Sequence, residues 1–184
     1  MSKFKLYLFG WITIILFPLP AYLCLWYFDN ITFAQFLRLD QLLNIRTWIG
    51  VEFGIVYAFF ALLILQSPVF EKLPNKVEKM IQDMNLTTFD AFFLSICAGV
   101  GEELLFRVGV QHYLGIWATS IIFVAIHGYI NPMNWRKSLY GLIVLPFVLI
   151  LAYGYEHFGL WFCIGAHFSY DFVLFLAITN KKED

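Results

Sequence analysis

Gly99-Val100-Gly101-Glu102-Glu103-Leu104-Leu105-Phe106-Arg107 places two adjacent carboxylates and a guanidinium inside a largely apolar run from Ala91 to Ile126. Charges in such a run are costly to desolvate, and an ionisable residue inside a membrane marks a functional or pairing site. If the run is helical, Glu103 and Arg107 stand four apart on one face, where they can pair. Glu102 then points about 100° away, free to meet another neighbour or a water. The small residues Ala98, Gly99 and Gly101 would let another helix approach closely. Glu103 and Arg107 also read as a structural ion pair that locks a bundle.

The 184 residues around this stretch are 61% hydrophobic, 20% aromatic and only 14% charged, and the mean hydropathy is +0.74. This composition is that of a membrane protein. A formal net charge of -1 with scattered basic residues carries no nucleic-acid footprint. Cys24, Cys97 and Cys163 lie far apart in apolar surroundings and read as small hydrophobes, implying no disulfide framework or metal knuckle.

Working outward, about six spans are expected in a single all-α domain, residues 1–184, built as a polytopic transmembrane bundle around an intramembrane polar cavity. Leu6–Phe28 is an uncleaved first span, with Pro18 and Pro20 kinking its far end. Asn30–Thr47 is an amphipathic connection suited to the membrane surface. Trp48–Leu65 is the second span, and its Glu52 reads as a headgroup-level residue. Gln66–Thr88 is a charged loop leading into an amphipathic approach helix. Phe89–His112, Gly115–Gly128, Ser138–Tyr155 and Leu160–Thr179 complete the six, with a loop at Tyr129–Lys137. Lys3, Lys5, Lys72, Lys76, Lys79, Arg136, Lys137, Lys181 and Lys182 then share one side, which puts both termini in the cytoplasm.

Counted from the predicted outer ends at about 1.5 Å per residue, Glu102, His127 and His167 fall roughly 10 to 15 Å deep, and Asp171 a little deeper. They can share one layer. His167 and Asp171 are four apart, so the carboxylate can hold the imidazole in one tautomer. His112 and His157 fall at span ends and read as interfacial. Zinc-protease, serine-hydrolase and di-iron patterns (His-Glu-x-x-His, Gly-x-Ser-x-Gly, repeated Glu-x-x-His) are absent.

Glu102-Glu103 with Arg107, then Phe123 with His127, then His167 with Asp171 resemble, in order, the three motifs of the CPBP family. That family comprises the CAAX proteases and bacteriocin-processing (Abi-type) enzymes and is related to the Ras-converting CAAX prenyl endopeptidase. The likeness covers a core of about residues 88–180. In the family the first Glu of the pair acts with a histidine to activate water, and a later His with Asn or Asp binds the developing oxyanion. The resemblance therefore implies catalytic roles for Glu102, His127, His167 and Asp171, with Glu103, Arg107 and Phe123 in support. Two departures stand out. Val108 follows the arginine where the family commonly has Gly, and Asp171 stands where eukaryotic members use Asn. An ionised Asp cannot donate to an oxyanion, so the preferred reading has Asp171 orient His167.

The function expected is an intramembrane endopeptidase that cleaves a membrane-bound or hydrophobic peptide or protein with no cofactor and no metal, seated in the bilayer of a bacterial cytoplasmic membrane. Two histidines and a glutamate are also a His2Glu zinc set, so a zinc variant stays open. The alternative from another class is a non-proteolytic membrane partner such as a bacteriocin-immunity or regulatory protein. A proton-relay transporter is disfavoured because the chain lacks repeated halves.

Overall fold

The computed structural model describes the backbone of residues 3–67, 84–130 and 135–179 and the side chains of all of these except 135–137. Among the described residues the regular elements are all helical. They are α1 (Lys3–Leu16), α2 (Pro18–Asp29), α3 (Phe33–Leu37), α4 (Ile45–Leu65), α5 (Thr88–Glu103), α6 (Gln111–Ile126), α7 (Trp135–Phe158) and α8 (Leu160–Thr179), with a 3-10 turn at Leu39–Gln41 and a π-helical turn at Leu104–Val110. The charged 68–83 stretch, residues 131–134 of the expected 129–137 loop and the basic C-terminus lie outside the described residues, and the last three positions of that expected loop are already helical.

Among the described residues four stretches are long and apolar enough to cross a membrane: Lys3–Asp29, Ile45–Leu65, Ser138–Phe158 and Leu160–Thr179. In the first, Pro18 interrupts the hydrogen-bond ladder because it has no N–H. Phe17 keeps helical angles (φ -67°, ψ -45°), so α1 and α2 continue as one path. The two remaining expected spans take a different form. α5, the π-helical turn and the start of α6 run on without a strand or loop, and the break comes at Gly115 (φ 72°, ψ 177°). The apolar piece after Gly115 therefore has about eleven helical residues, roughly 16 Å at 1.5 Å each, which is too short to cross alone.

The ends of these helices are written into the sequence. Thr87 accepts from Asp90 N–H while the Asp90 carboxylate accepts from Thr87 N–H, closing a capping box at the start of α5. Asp90 also accepts from Tyr7 at 2.6 Å and pairs with Lys3, which ties the beginning of α1 to α5. Thr32 and Gln35 cap α3 in the same manner. The Asn30–Thr47 connection turns its Phe36 inward, 1% exposed, and Leu37 and Arg38 accept from Trp161 Nε1 at 3.1 and 2.8 Å. Glu52 is exposed on α4.

Small residues set how closely the helices pack. The buried face of α4 is Gly50, Gly54, Ala58 and Ala61, and α8 lies directly on it. A Cβ on Gly54 would stand 2.1 Å from Ala166 O, and one on Gly50 would stand 2.2 Å from Phe162 O. Ser169 Oγ donates across the seam to Val51 O at 2.8 Å. Interhelical contact of this kind rests on close backbone approach, because lipid gives helices little hydrophobic reason to associate. Gly54→Ala is expected to cost at least about 1–3 kcal/mol by overpacking. An unfolding midpoint in detergent equal to wild type would show that α4 and α8 are not so closely seated.

The same device frames the central stretch. A Cβ at Gly99 would meet Phe168 N of α8 at 3.1 Å, and one at Gly101 would meet Thr13 O of α1 at 2.1 Å. α5 is thus gripped on two sides immediately before Glu102 and Glu103. Beyond them Phe106, Phe123, Phe147, Leu151, Cys163 and Tyr170 fill one core. Cys24, Cys97 and Cys163 are free thiols, the last two buried.

Candidate active site

The π-helical turn Leu104–Val110 begins one residue after Glu103, and Gln111 N–H bonds to Phe106 O, five residues back. Such widened turns recur at functional sites. Here the turn carries Arg107, whose Nε donates to Glu103 Oε2 at 2.8 Å. Arg107 Nη1 donates to Gln111 Oε1 at 3.2 Å, and Gln111 Nε2 donates to Ala152 O of α7 at 2.9 Å. Glu103 and Arg107 are both 0% exposed. A charged pair so deeply buried needs its remaining polar atoms bonded, and this chain of bonds meets Nε and Nη1 of Arg107 while its Nη2 is left without a partner.

Glu103 has a second partner. Its Oε1 lies 2.7 Å from His167 Nδ1. A carboxylate paired to arginine accepts only, so Nδ1 carries the proton and Nε2 turns away from Glu103. His167 Nε2 faces Asp171 Oδ2 at 3.5 Å. The preference for Asp171 as the orienting group is therefore corrected: the short bond that sets the His167 tautomer comes from Glu103, and Asp171 stands at the other nitrogen. Sequence spacing matched His167 to Asp171 because they share a helix; Glu103 reaches it from another.

Glu102 points elsewhere, as the helical rotation requires, and meets α6. His127 sits at the end of that helix, where its Nδ1 donates to Phe123 O at 2.7 Å. Its Nε2 is left facing Glu102 Oε2 at 3.5 Å. The two histidines thus repeat one arrangement. Each has Nδ1–H fixed by a protein acceptor, and each presents Nε2 to a carboxylate at a distance that a shared proton or a bridging water would close.

Exposure varies across the cluster, and the His167 side chain is 8% exposed. The Glu102, His127 and Asp171 side chains are 14%, 31% and 22% exposed, against 0% for Glu103 and Arg107. Phe123 links the halves, stacked on His127 (centroids 4.3 Å apart, 22° between planes) and edge-on to His167 (6.2 Å, 66°). The Arg107 guanidinium lies 6.0 Å from the same ring. The structure thus brings all seven sequence-selected residues into one cluster.

Two members went unselected. Gln111 continues the four-residue rhythm of Glu103 and Arg107, a polar position in an apolar run that could have signalled it. Tyr129 follows His127-Gly128 in the loop after α6. Burial, and after it the charge of Asp171, pushes the Tyr129 phenol up to about 12, so it stays a protonated donor. Among the described residues no three His, Cys, Asp or Glu side chains converge as a metal set.

Residues 84–173 match the family model described as type II CAAX prenyl endopeptidase Rce1-like. Through this stretch the chain is similar to the Rce1-like family. The matched residues open just before α5 and close just past Asp171, so they contain every residue of the cluster. With four apolar stretches of spanning length among its described residues, this chain is an integral membrane protein. Among curated proteins it is similar to the uncharacterized protein YpbD of Bacillus subtilis (strain 168), 32% identical over 99 residues, which are 50% of each chain. The match thus spans about half the length of that relative. No solved structure matches the chain.

Proposed function

We propose that this protein is an intramembrane endopeptidase that hydrolyses a peptide bond in a membrane-associated or hydrophobic peptide, with Glu102 and His127 activating the water. The observation that carries the reading is the Glu102 Oε2 facing His127 Nε2 at 3.5 Å, on a side chain 14% exposed, that oxygen being buried with no hydrogen-bond partner, beside a histidine independently held by a buried ion pair. Glu102 takes a proton from a water that bonds to both it and His127 from the side, and the resulting hydroxide attacks the scissile carbonyl. His167, with a proton on Nε2, donates to the tetrahedral oxygen. Glu102 or His127 then returns the proton to the departing amine. Asp171 balances the charge on His167, and Glu103 with Arg107 keeps its ring from turning.

We place the protein in a bacterial cytoplasmic membrane with both termini inside, a reading supported by the distribution of lysine and arginine and by the Bacillus relative. The reaction as proposed uses no metal. Purified protein in proteoliposomes is expected to cleave members of a membrane-tethered, quenched-fluorescence peptide library at a rate unchanged by EDTA or phenanthroline. Loss of cleavage with chelator, restored by zinc, would contradict the water-activation scheme. A folded protein that binds library members without cleaving any would favour a binding or immunity role.

A further inference from the structure

The loop residue Tyr129 belongs to the same cluster yet has no part in the scheme above. α6 ends in a motif that the sequence His127-Gly128-Tyr129 dictates. Gly128 takes the left-handed conformation (φ 75°), which a residue without Cβ adopts at little cost. Its N–H bonds to Ala125 O at 2.9 Å, and Tyr129 N–H bonds back to Val124 O at 3.1 Å. This is the paired bonding of a Schellman ending. The reversal lays the Tyr129 ring parallel to the His127 imidazole, with centroids 6.1 Å apart and 3° between planes.

α7 holds the tyrosine from its other side. Tyr140 stacks on it at 6.1 Å and 15°, and Gly141 allows α7 so near that an added Cβ would stand 3.0 Å from Tyr129 O. His127 therefore has two aromatic neighbours, Phe123 one turn earlier and Tyr129 just after the helix end. Phe123 O fixes Nδ1 and the Phe123 ring stacks on the imidazole, and Tyr129 adds a second ring that limits its pivot about that bond.

We infer that Tyr129 is a positioning residue whose ring, set by the Gly128 reversal and backed by Tyr140, keeps His127 Nε2 aimed at Glu102. This rests on the reading of Glu102 and His127 as the water-activating pair. Ring contact, not the phenol, does the work. Misplacement of a reacting group by about 1 Å can cost on the order of a hundredfold in rate.

The test uses the full chain in proteoliposomes with a peptide that wild type cleaves. Tyr129→Leu is expected to lower kcat by about tenfold to a hundredfold with KM within about twofold, and Tyr129→Phe to restore kcat to within about threefold. In parallel, nitrogen-15 NMR of the imidazoles, with His127 assigned through His127→Gln, reads the ring without any substrate. Wild type and Tyr129→Phe should show one Nδ1–H tautomer for His127, and Tyr129→Leu an averaged one. An unchanged His127 signal and unchanged kcat in Tyr129→Leu would overturn the inference, as would a Phe variant as impaired as the Leu variant. If wild type cleaves no peptide, the proposed function fails and the NMR comparison still decides the positioning.

Discussion

Glu102→Gln is expected to lower kcat for a cleaved peptide by about 10²–10⁴-fold, with KM within a few-fold and an unchanged unfolding midpoint. Gln keeps the volume and a hydrogen-bonding end but cannot take a proton. The Glu102 side chain is 14% exposed and reaches His127, not the buried arginine, so its loss leaves the scaffold whole. His127→Ala should fall in the same range. The double variant should lose little beyond the worse single one, because the two act on one water. Losses that simply multiply would mean that the residues work in separate steps.

A different failure is expected one residue along. Arg107→Met leaves the Glu103 carboxylate buried at 0% exposure with its cation gone, and Glu103→Leu leaves the guanidinium buried without its anion. Each should destabilise the protein by about 3–5 kcal/mol, seen as a large drop in unfolding midpoint and in yield of folded protein from membranes. Removing both charges together should cost less than the sum of the two singles, since neither is then left unpaired. That double variant should fold and remain inactive, because His167 Nδ1 loses its 2.7 Å acceptor. Two adjacent glutamates would then separate cleanly into one that performs chemistry and one that holds the site.

Much of this was legible in the chain. Charged residues in an apolar run announced themselves, and helical rotation alone separated Glu102 from Glu103 and joined Glu103 to Arg107. Glycine and alanine around position 99 signalled close helix contact, which the structure gives to α1 and α8. What stayed hidden depends on interhelical rotation and on local backbone departures. The bond from Glu103 to His167 joins residues 64 apart in sequence, beyond any spacing rule. The apolar residues after Gly115 counted as a span because hydropathy is blind to a left-handed glycine. The π-helical turn leaves no periodic trace, and Gly109 lies within it. It follows Arg107 one position later than the family pattern, and a Cβ there would meet Ala21 of α2 at 2.4 Å.

The central claim is that Glu102 drives attack by water on a peptide bond, and it is tested most directly by mass spectrometry of products formed in oxygen-18 water. Wild type and Glu102→Gln proteoliposomes would be compared on one tethered peptide. The account predicts that wild type yields two fragments, with one oxygen-18 in the new carboxyl terminus, and that Glu102→Gln yields essentially none in the same time. A Glu102→Gln protein that forms the labelled product at the wild-type rate would contradict it.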